Sequence, residues 1–151
     1  MREKILQALR NQGFLYEEQD SGDVAFHKGI ANIVCEFDKR NPQYFELVMY
    51  GLFEEGTYSK EDTFAIINEV NNRFKYVKAY MLDSFCNISY ETQLSKDADV
   101  EHIEALICHM ATILEKVWYH THDISRNYER ISDGDDDEPD DDTEDTEEKG
   151  E

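Results

Sequence analysis

The sequence predicts an α+β fold: an antiparallel sheet of five or six strands with three helices packed on one face, in the order α-β-β-β(-β)-α-β-β-α. Two observations lead to this prediction. Apolar residues alternate between turn signals over residues 14–51 and again over 76–94, which is typical of half-buried strands. Apolar residues also recur at helical spacing in three other segments, which is typical of amphipathic helices.

The first helix and a strand meander are predicted before residue 52. Ile5, Leu6 and Leu9 form one apolar face, and Gly13 ends the helix. Three or four strands follow, because clusters of turn-forming residues interrupt the alternation three times. The clusters are Asp20–Asp23, Lys28–Gly29 and Lys39–Pro42. Between them, one side of the strands is apolar: Val24 and Phe26; Ile33, Cys35 and Phe37; Phe45, Leu47 and Met49.

A second helix and a second hairpin are predicted next. The helix begins at Ser59 or Lys60, and its acidic first turn suits the helix dipole. Two alternating segments then follow, 76–82 and 86–94, joined across a turn at Asp83–Ser84. The predicted inner face of the helix consists of Phe64, Ile67, Val70 and Phe74.

The third helix carries the clearest periodic signal in the chain. Asp97 or Asp99 is its predicted N-cap. Apolar residues then repeat over four turns, and so long a stripe indicates a core or helix-packing face. The stripe is Ile103, Leu106, Ile107, Met110, Ile113, Leu114, Val117 and Trp118.

The charge is concentrated at the carboxyl end. The net charge is −20, and residues 133–151 hold thirteen acids and one base, so they contribute −12 and the preceding residues −8. We therefore expect one α+β domain over residues 1–130 and a disordered acidic tail over 131–151. An acidic chain lacks the electrostatic attraction to nucleic acid and to anionic membranes, so neither is an expected partner. With no signal segment and no apolar stretch of 18 residues, we expect a cytoplasmic protein.

No catalytic, cofactor-binding or metal-binding residues are predicted, and no cofactor is expected. The chain has no nucleophile motif, no glycine-rich phosphate loop and no H-E-x-x-H. We interpret the three scattered cysteines, Cys35, Cys86 and Cys108, as reduced core residues. The chain is therefore expected not to be an enzyme.

Metal binding is the alternative that the histidines raise. His102 and His109 are seven residues apart on one helix flank, roughly 10 Å, which is too far for one zinc ion. Cys108 lies on another side, and we expect His120 and His122 at a frayed helix end. In the tail, Asp133, Asp135 and Asp137 alternate but lack the closing glutamate of an EF-hand.

Two asparagines are the most unusual polar feature. Asn71 falls inside the apolar arc of the second helix, and Asn68 falls at its rim. A buried amide without partners costs about 1–3 kcal/mol, so we expect these side chains to be bonded. A structural hydrogen bond to the following turn or strand is one interpretation, and a polar spot in an interface is the other.

The chain resembles a known family at this point. The run Ile67–Phe74, followed by Val77–Tyr80 and the acidic turn Asp83–Ser84, resembles the helix-to-strand signature of the YbjN-like proteins, described as proposed bacterial sensory transduction regulators. Their fold is related to that of type III secretion chaperones. The resemblance implies a dimeric α/β scaffold with no known active site.

The favoured function is a non-catalytic protein-binding module, chaperone-like or regulatory, that holds a protein or peptide partner and is expected to be a homodimer. Such a module should expose an apolar patch on its folded body. Two alternatives stay open. The acidic tail could bind basic proteins as a polyanion, or the chain could be an enzyme with dispersed active-site residues.

Overall fold

The computed structural model describes residues 1–131, which form three helices and one six-stranded sheet. In chain order the elements are α1 (Arg2–Asn11), β1 (Tyr16–Glu18), β2 (Val24–Lys28), β3 (Ala31–Phe37), β4 (Tyr44–Glu54), α2 (Lys60–Arg73), β5 (Val77–Leu82), β6 (Phe85–Gln93) and α3 (Val100–Ser125).

The sheet is antiparallel throughout, with the strand order β1-β2-β3-β4-β6-β5. The predicted α+β fold class is therefore confirmed, with six strands. Strands β1–β4 form the meander, and the β5–β6 hairpin adds to it through β6, so that β5 lies at one edge. The other edge is β1, which is only three residues long.

Gly13 ends α1 as predicted, in the left-handed region with φ 77°. Its N–H donates to Arg10 O, and the Phe14 N–H donates to Leu9 O, both at 3.0 Å, which is the Schellman arrangement. The chain then turns back so that the Phe14 ring packs 5.0 Å from the Phe26 ring. This contact joins the end of α1 to the sheet.

The other two helices begin at side-chain caps. The Ser59 side chain accepts a hydrogen bond from the Asp62 N–H at 3.1 Å, which places the start of α2 as predicted. Asp99, and not Asp97, caps α3 by accepting from the His102 N–H at 2.8 Å. With 26 residues, α3 is longer than the predicted four turns and is roughly 39 Å long.

One hydrophobic cluster fills the space between the helices and the sheet. The inward side chains predicted for β2, β3 and β4 all belong to it or pack against it, so those predictions are confirmed. The α3 stripe is confirmed as core: Ile103, Ile107, Met110, Leu114 and Val117 are fully buried, and Leu106, Ile113 and Trp118 are half-buried against the cluster.

The inner face predicted for α2 is partly wrong. Ile66 and Val70 are the buried residues of this helix, whereas the Phe64 side chain is 52% exposed. Ile67 and Phe74 pack against the cluster at its border. The helix carries apolar side chains on more than half of its circumference, so periodicity alone did not determine which of them the sheet covers.

Asn71 adopts the first of the two roles predicted for it. Its Oδ1 accepts from the Ala79 N–H at 2.7 Å, and its Nδ2 donates to the Ala79 carbonyl at 3.0 Å. The side-chain amide thus pairs with edge strand β5 as a neighbouring peptide group would. Asn71 is nevertheless exposed, as is Asn68, so the burial that its place in the apolar arc predicted is wrong.

The cysteines are free, as expected. Cys35 and Cys86 are buried, and Cys108 is half-buried. Burial raises the pKa of the Cys86 thiol to about 12, and it also raises the pKa of Cys35, so these two thiols stay protonated. Within residues 1–131, none of the helices is both long and apolar enough to cross a membrane.

Candidate functional site

The face of the sheet opposite the helices is the candidate site, and we call it the open sheet face. It consists of the outward side chains of the strands, and the central ones are Glu36, Tyr44, Glu46, Val48, Tyr50, Lys78, Tyr80, Asn87, Ser89 and Glu91. Side-chain alternation fixes this set, because the neighbouring residues in each strand belong to the core cluster.

A row of three carboxylates crosses the open sheet face. Glu36 of β3 pairs with Glu46 of β4, which pairs in turn with Glu91 of β6. Side chains directly opposite in an antiparallel pair are about 5 Å apart, so like charges repel there. Lys78 of β5 forms an ion pair with Glu91, which leaves one cation against three acids.

The pKa values follow from this arrangement. Burial, reinforced by the negative charges of Glu36 and Glu91, raises the pKa of Glu46. The hydrogen bond from Lys78 lowers the pKa of Glu91, which is therefore a compensated carboxylate. Glu36 accepts a hydrogen bond from the Tyr50 hydroxyl. The centre of the row is thus the place where a further cation would relieve the most repulsion.

Two side chains at the centre of this face are buried although no helix described here covers them. Val48 is 0% exposed and Ser89 is 1% exposed, and the two residues are paired across β4 and β6. Neither belongs to the core cluster, so the longer outward side chains around them must provide the cover. The Ser89 Oγ lies near the Tyr80 hydroxyl but makes no hydrogen bond of good geometry within residues 1–131.

At one end of the open sheet face lies an apolar patch formed by Tyr50, Leu82 and Phe85. These side chains are 50%, 50% and 42% exposed. They border a shallow cavity of about 270 Å³ together with Gly51 and Asn87. The exposed apolar patch expected of a binding module is therefore present.

A bulge in β4 shapes this cavity. Met49 pairs with Ile88 and Phe53 with Cys86, so three residues of β4 lie opposite a single residue of β6. Gly51, within the bulge, has φ 72°, and the Phe85 ring lies 3.9 Å from the position of a Cβ on it. Any side chain at residue 51 would therefore strain the backbone, although its Cβ would make only ordinary contact with this ring.

Asn87 ties the bulge to the end of β5. It is 1% exposed, and its Oδ1 accepts from the Gly51 N–H at 2.9 Å. Its Nδ2 donates over a longer distance of 3.4 Å to the Leu82 carbonyl. Both the oxygen and the nitrogen of this buried amide are hydrogen-bonded, so Asn87 fixes the backbone around the apolar patch.

The histidines considered for metal binding are dispersed along α3. His120 packs edge-on against Phe74, with ring centroids 5.5 Å apart, and its Nε2 lies 3.6 Å from a Glu69 carboxylate oxygen. The expected frayed end is wrong here, because α3 continues to Ser125 and His120 joins it to α2. No group of three His, Cys, Asp or Glu side chains within residues 1–131 is arranged to hold a metal ion.

The remaining histidines considered as metal ligands are exposed or pack against aromatic rings. His102 and His109 are exposed, and the His109 ring contacts Tyr90 edge-on at 6.3 Å. His122 lies against Trp118, with ring centroids 4.0 Å apart. The aspartates at 133, 135 and 137 lie outside the described residues.

Sequence reasoning did not identify the open sheet face as a site. The polar alternation that predicted the strands already contained Glu36, Glu46 and Glu91, but it did not say which strands are neighbours. The non-sequential pairing of β4 with β6 brings Glu91 beside Glu46. The signal that could have indicated the apolar patch was Gly51 between two apolar residues within a strand, which is typical of a bulge.

The fold is similar to that of two solved structures. YbjN from E. coli, described as a proposed transcription regulator, matches with a TM-score of 0.64 and 11% identity, over 82% of this chain and 92% of that chain. The Yersinia pestis type III secretion chaperone SycH, solved in complex with a stable fragment of YscM2, matches with a TM-score of 0.49 and 10% identity, over 77% of this chain and 95% of that chain. No protein-family model and no curated protein sequence matches the chain. The resemblance to YbjN is therefore confirmed at the level of the fold.

Proposed function

We propose that the chain is a non-catalytic protein-binding module that holds a basic peptide segment with an apolar anchor on the open sheet face. The observation that carries this proposal is the apolar patch of Tyr50, Leu82 and Phe85 adjoining the carboxylate row. An anchor side chain fits the shallow cavity, and arginine or lysine side chains fit the acidic row.

The electrostatics of the face favour a cationic partner. Glu46 has two acidic neighbours and a raised pKa, so a bound guanidinium group would remove repulsion that the free protein retains. Tyr44 and Tyr80 border the row and offer aromatic surfaces for the apolar part of an arginine side chain.

Strand addition at the sheet edge is the disfavoured mode of binding. At β5, the Asn71 amide already pairs with both backbone groups of Ala79, so an incoming strand finds these groups occupied. At β1, the available edge is three residues long and carries Glu17 and Glu18. We therefore expect a partner to bind across the open sheet face and not along the edges of the sheet.

Homodimerisation and a cytoplasmic location remain parts of this proposal. The occupied β5 edge disfavours a dimer formed by continuing the sheet at that strand, so a second copy would use another surface. Equilibrium sedimentation of the full chain measures the mass directly. The second candidate function, a polyanionic tail that binds basic proteins, rests on the thirteen acids of residues 133–151.

A peptide-library selection on the full chain tests the proposal. We expect the selected peptides to combine a large apolar residue with arginine or lysine nearby. Replacing Leu82 and Phe85 together by serine should weaken their binding at least tenfold, because the anchor loses its apolar contacts. Leu15→Ser is the matched control, since Leu15 is 91% exposed outside the patch.

The carboxylate row is tested separately from the tail. The triple variant Glu36→Gln, Glu46→Gln, Glu91→Gln keeps all thirteen acids of residues 133–151. It should lose most of the affinity for the selected peptides. If it binds them as tightly as the wild type, and the binding then disappears when the tail aspartates are changed to asparagine, the polyanionic tail is the binding element and the proposal is wrong.

A further inference from the structure

A second cavity lies on the helix side of the molecule, at the carboxyl end of α3. Its volume is about 370 Å³, and it is bordered by β4, by the segment before α2 and by the residues that follow α3. Phe53, Tyr58 and Tyr128 provide aromatic walls. The rings of Phe53 and Tyr58 are held edge-to-face, with their centroids 5.2 Å apart.

Three basic side chains line the same cavity: His122, Arg126 and Arg130. This is an unusual grouping in a chain of net charge −20. Among residues 1–131, the nearest acid to Arg126 is Asp123 at 3.8 Å, and both side chains are largely exposed, so this pair neutralises little. Within residues 1–131, Arg130 has no acidic side chain within 4 Å.

The three groups also act on one another. The pKa of His122 is lowered, first by burial and then by the positive charges of Arg126 and Arg130, against an opposing effect of Asp123. The cavity therefore concentrates positive charge that an anion would compensate.

We propose that this cavity binds a small organic anion, with its phosphate or carboxylate group between Arg126 and Arg130 and its apolar part against the aromatic walls. Arginine suits this role, because its guanidinium group can donate two parallel hydrogen bonds to such a group. The volume lies within the range of small-molecule sites, roughly 300–1,000 Å³. This site is distinct from the open sheet face.

The same anion chemistry is available within the chain. Residue 133 is the first of the thirteen acids and follows Arg130 by three positions. The chain leaves the described residues beside this cavity, where the Ile131 N–H donates to the Thr57 carbonyl at 2.8 Å. A carboxylate of the chain and a free phosphate ester are therefore two sources of the same anion chemistry, and the test distinguishes them.

Trp118 gives a direct readout, because it is the single tryptophan of the chain and its ring lies 4.0 Å from that of His122. We expect phenyl phosphate to change the Trp118 emission saturably in the full-length protein. Inorganic phosphate should bind more weakly, since it lacks the apolar part. The double variant Arg126→Gln, Arg130→Gln should bind phenyl phosphate at least tenfold more weakly.

The matched control is Lys39→Gln, Arg40→Gln, which removes the same charge from the β3–β4 turn and should bind like the wild type. If the control loses as much affinity as the cavity variant, only the net charge matters and the proposal is overturned.

A full-length variant with Asp135, Asp136 and Asp137 changed to asparagine identifies the source of the anion. Tighter phenyl phosphate binding in this variant shows that the chain's own carboxylates compete for the site, and unchanged binding shows that a free ligand uses it alone. If neither the wild type nor the aspartate variant shows a saturable response to phenyl phosphate, the proposal is overturned.

Discussion

At the scale of single residues, Asn71 shows how one side chain can complete a sheet edge. Its amide uses its acceptor and its donor on the two backbone groups of Ala79. In the sequence, an asparagine within a helical apolar arc predicted bonded partners, and this prediction is confirmed. The identity of the partner required the packing of α2 on β5, which residue spacing does not give.

Asn71→Ala should lower the free energy of unfolding by about 1–3 kcal/mol, because two partly buried backbone groups lose their partner. Chemical denaturation measures this change. Asn72→Ala, the exposed neighbour on the same helix, should change stability by less than about 0.5 kcal/mol. Equal effects of the two substitutions would show that the Asn71 amide does not stabilise the edge.

The protonation of His122 is a second prediction at this scale. Its pKa in the folded protein is lowered, so folding favours the neutral ring. The stability that this provides is present above the ordinary pKa of histidine, about 6.5, and is lost as the pH falls through the lower folded value. We expect NMR titration to give a value below 6.5, and Arg126→Gln to raise it. An unchanged value in the variant would contradict the coupling.

At the scale of elements, the β5–β6 turn combines tight geometry with unfavourable residues. Asp83 and Ser84 both have positive φ, 51° and 66°, as a two-residue type I′ hairpin turn requires. Aspartate tolerates this region, whereas serine gains nothing there. The sequence predicted the turn itself, because Asp83–Ser84 separates two alternating segments, but not its strain.

Ser84→Gly should raise the free energy of unfolding by up to about 1 kcal/mol, since glycine adopts positive φ without a steric penalty. Thermal unfolding measures the change. Ser95→Gly is the control, because the Ser95 Oγ accepts from the Asp97 N–H and φ there is not positive. That substitution should lower stability. A fall in stability with Ser84→Gly would contradict the assigned turn geometry.

Helices and strands differ in how far the sequence determined them. Alternation fixed the inward side of β2, β3 and β4, because the side-chain period of two leaves only two options. The apolar surface of α2 was wider than the part that the sheet covers, so Phe64 was placed inside but is exposed. The bulge at Gly51 and the pairing of β4 with β6 depend on the tertiary structure. The candidate site depends on both of them.

At the scale of the whole molecule, an acidic cluster and a basic cluster lie on different sides. The carboxylate row lies on the open sheet face, whereas His122, Arg126 and Arg130 gather at the end of α3 on the other side. The net charge of −20 favours the hypothesis of a basic partner, but it gives no indication of the basic cavity. Only the fold brings residues 58, 126 and 130 together.

The raised pKa of Glu46 predicts how the free energy of unfolding changes with pH in the acidic range. Because the folded pKa of Glu46 is raised, its contribution to stability is present below the ordinary glutamate value, about 4.3, and is lost as the pH rises through the folded value. Glu46→Gln should therefore reduce the decline in stability over this range, measured by denaturation at several pH values. Glu17→Gln, on the edge strand β1, removes the same charge and should leave the decline unchanged.

NMR mapping of a selected peptide on the full-length protein decides whether the peptide binds to the open sheet face. Binding on the open sheet face predicts that the largest amide shifts cluster around Tyr50, Leu82, Phe85 and the carboxylate row, with small shifts on β1 and in residues 133–151. Shifts concentrated on the edge of β5, or confined to residues 133–151, would contradict it.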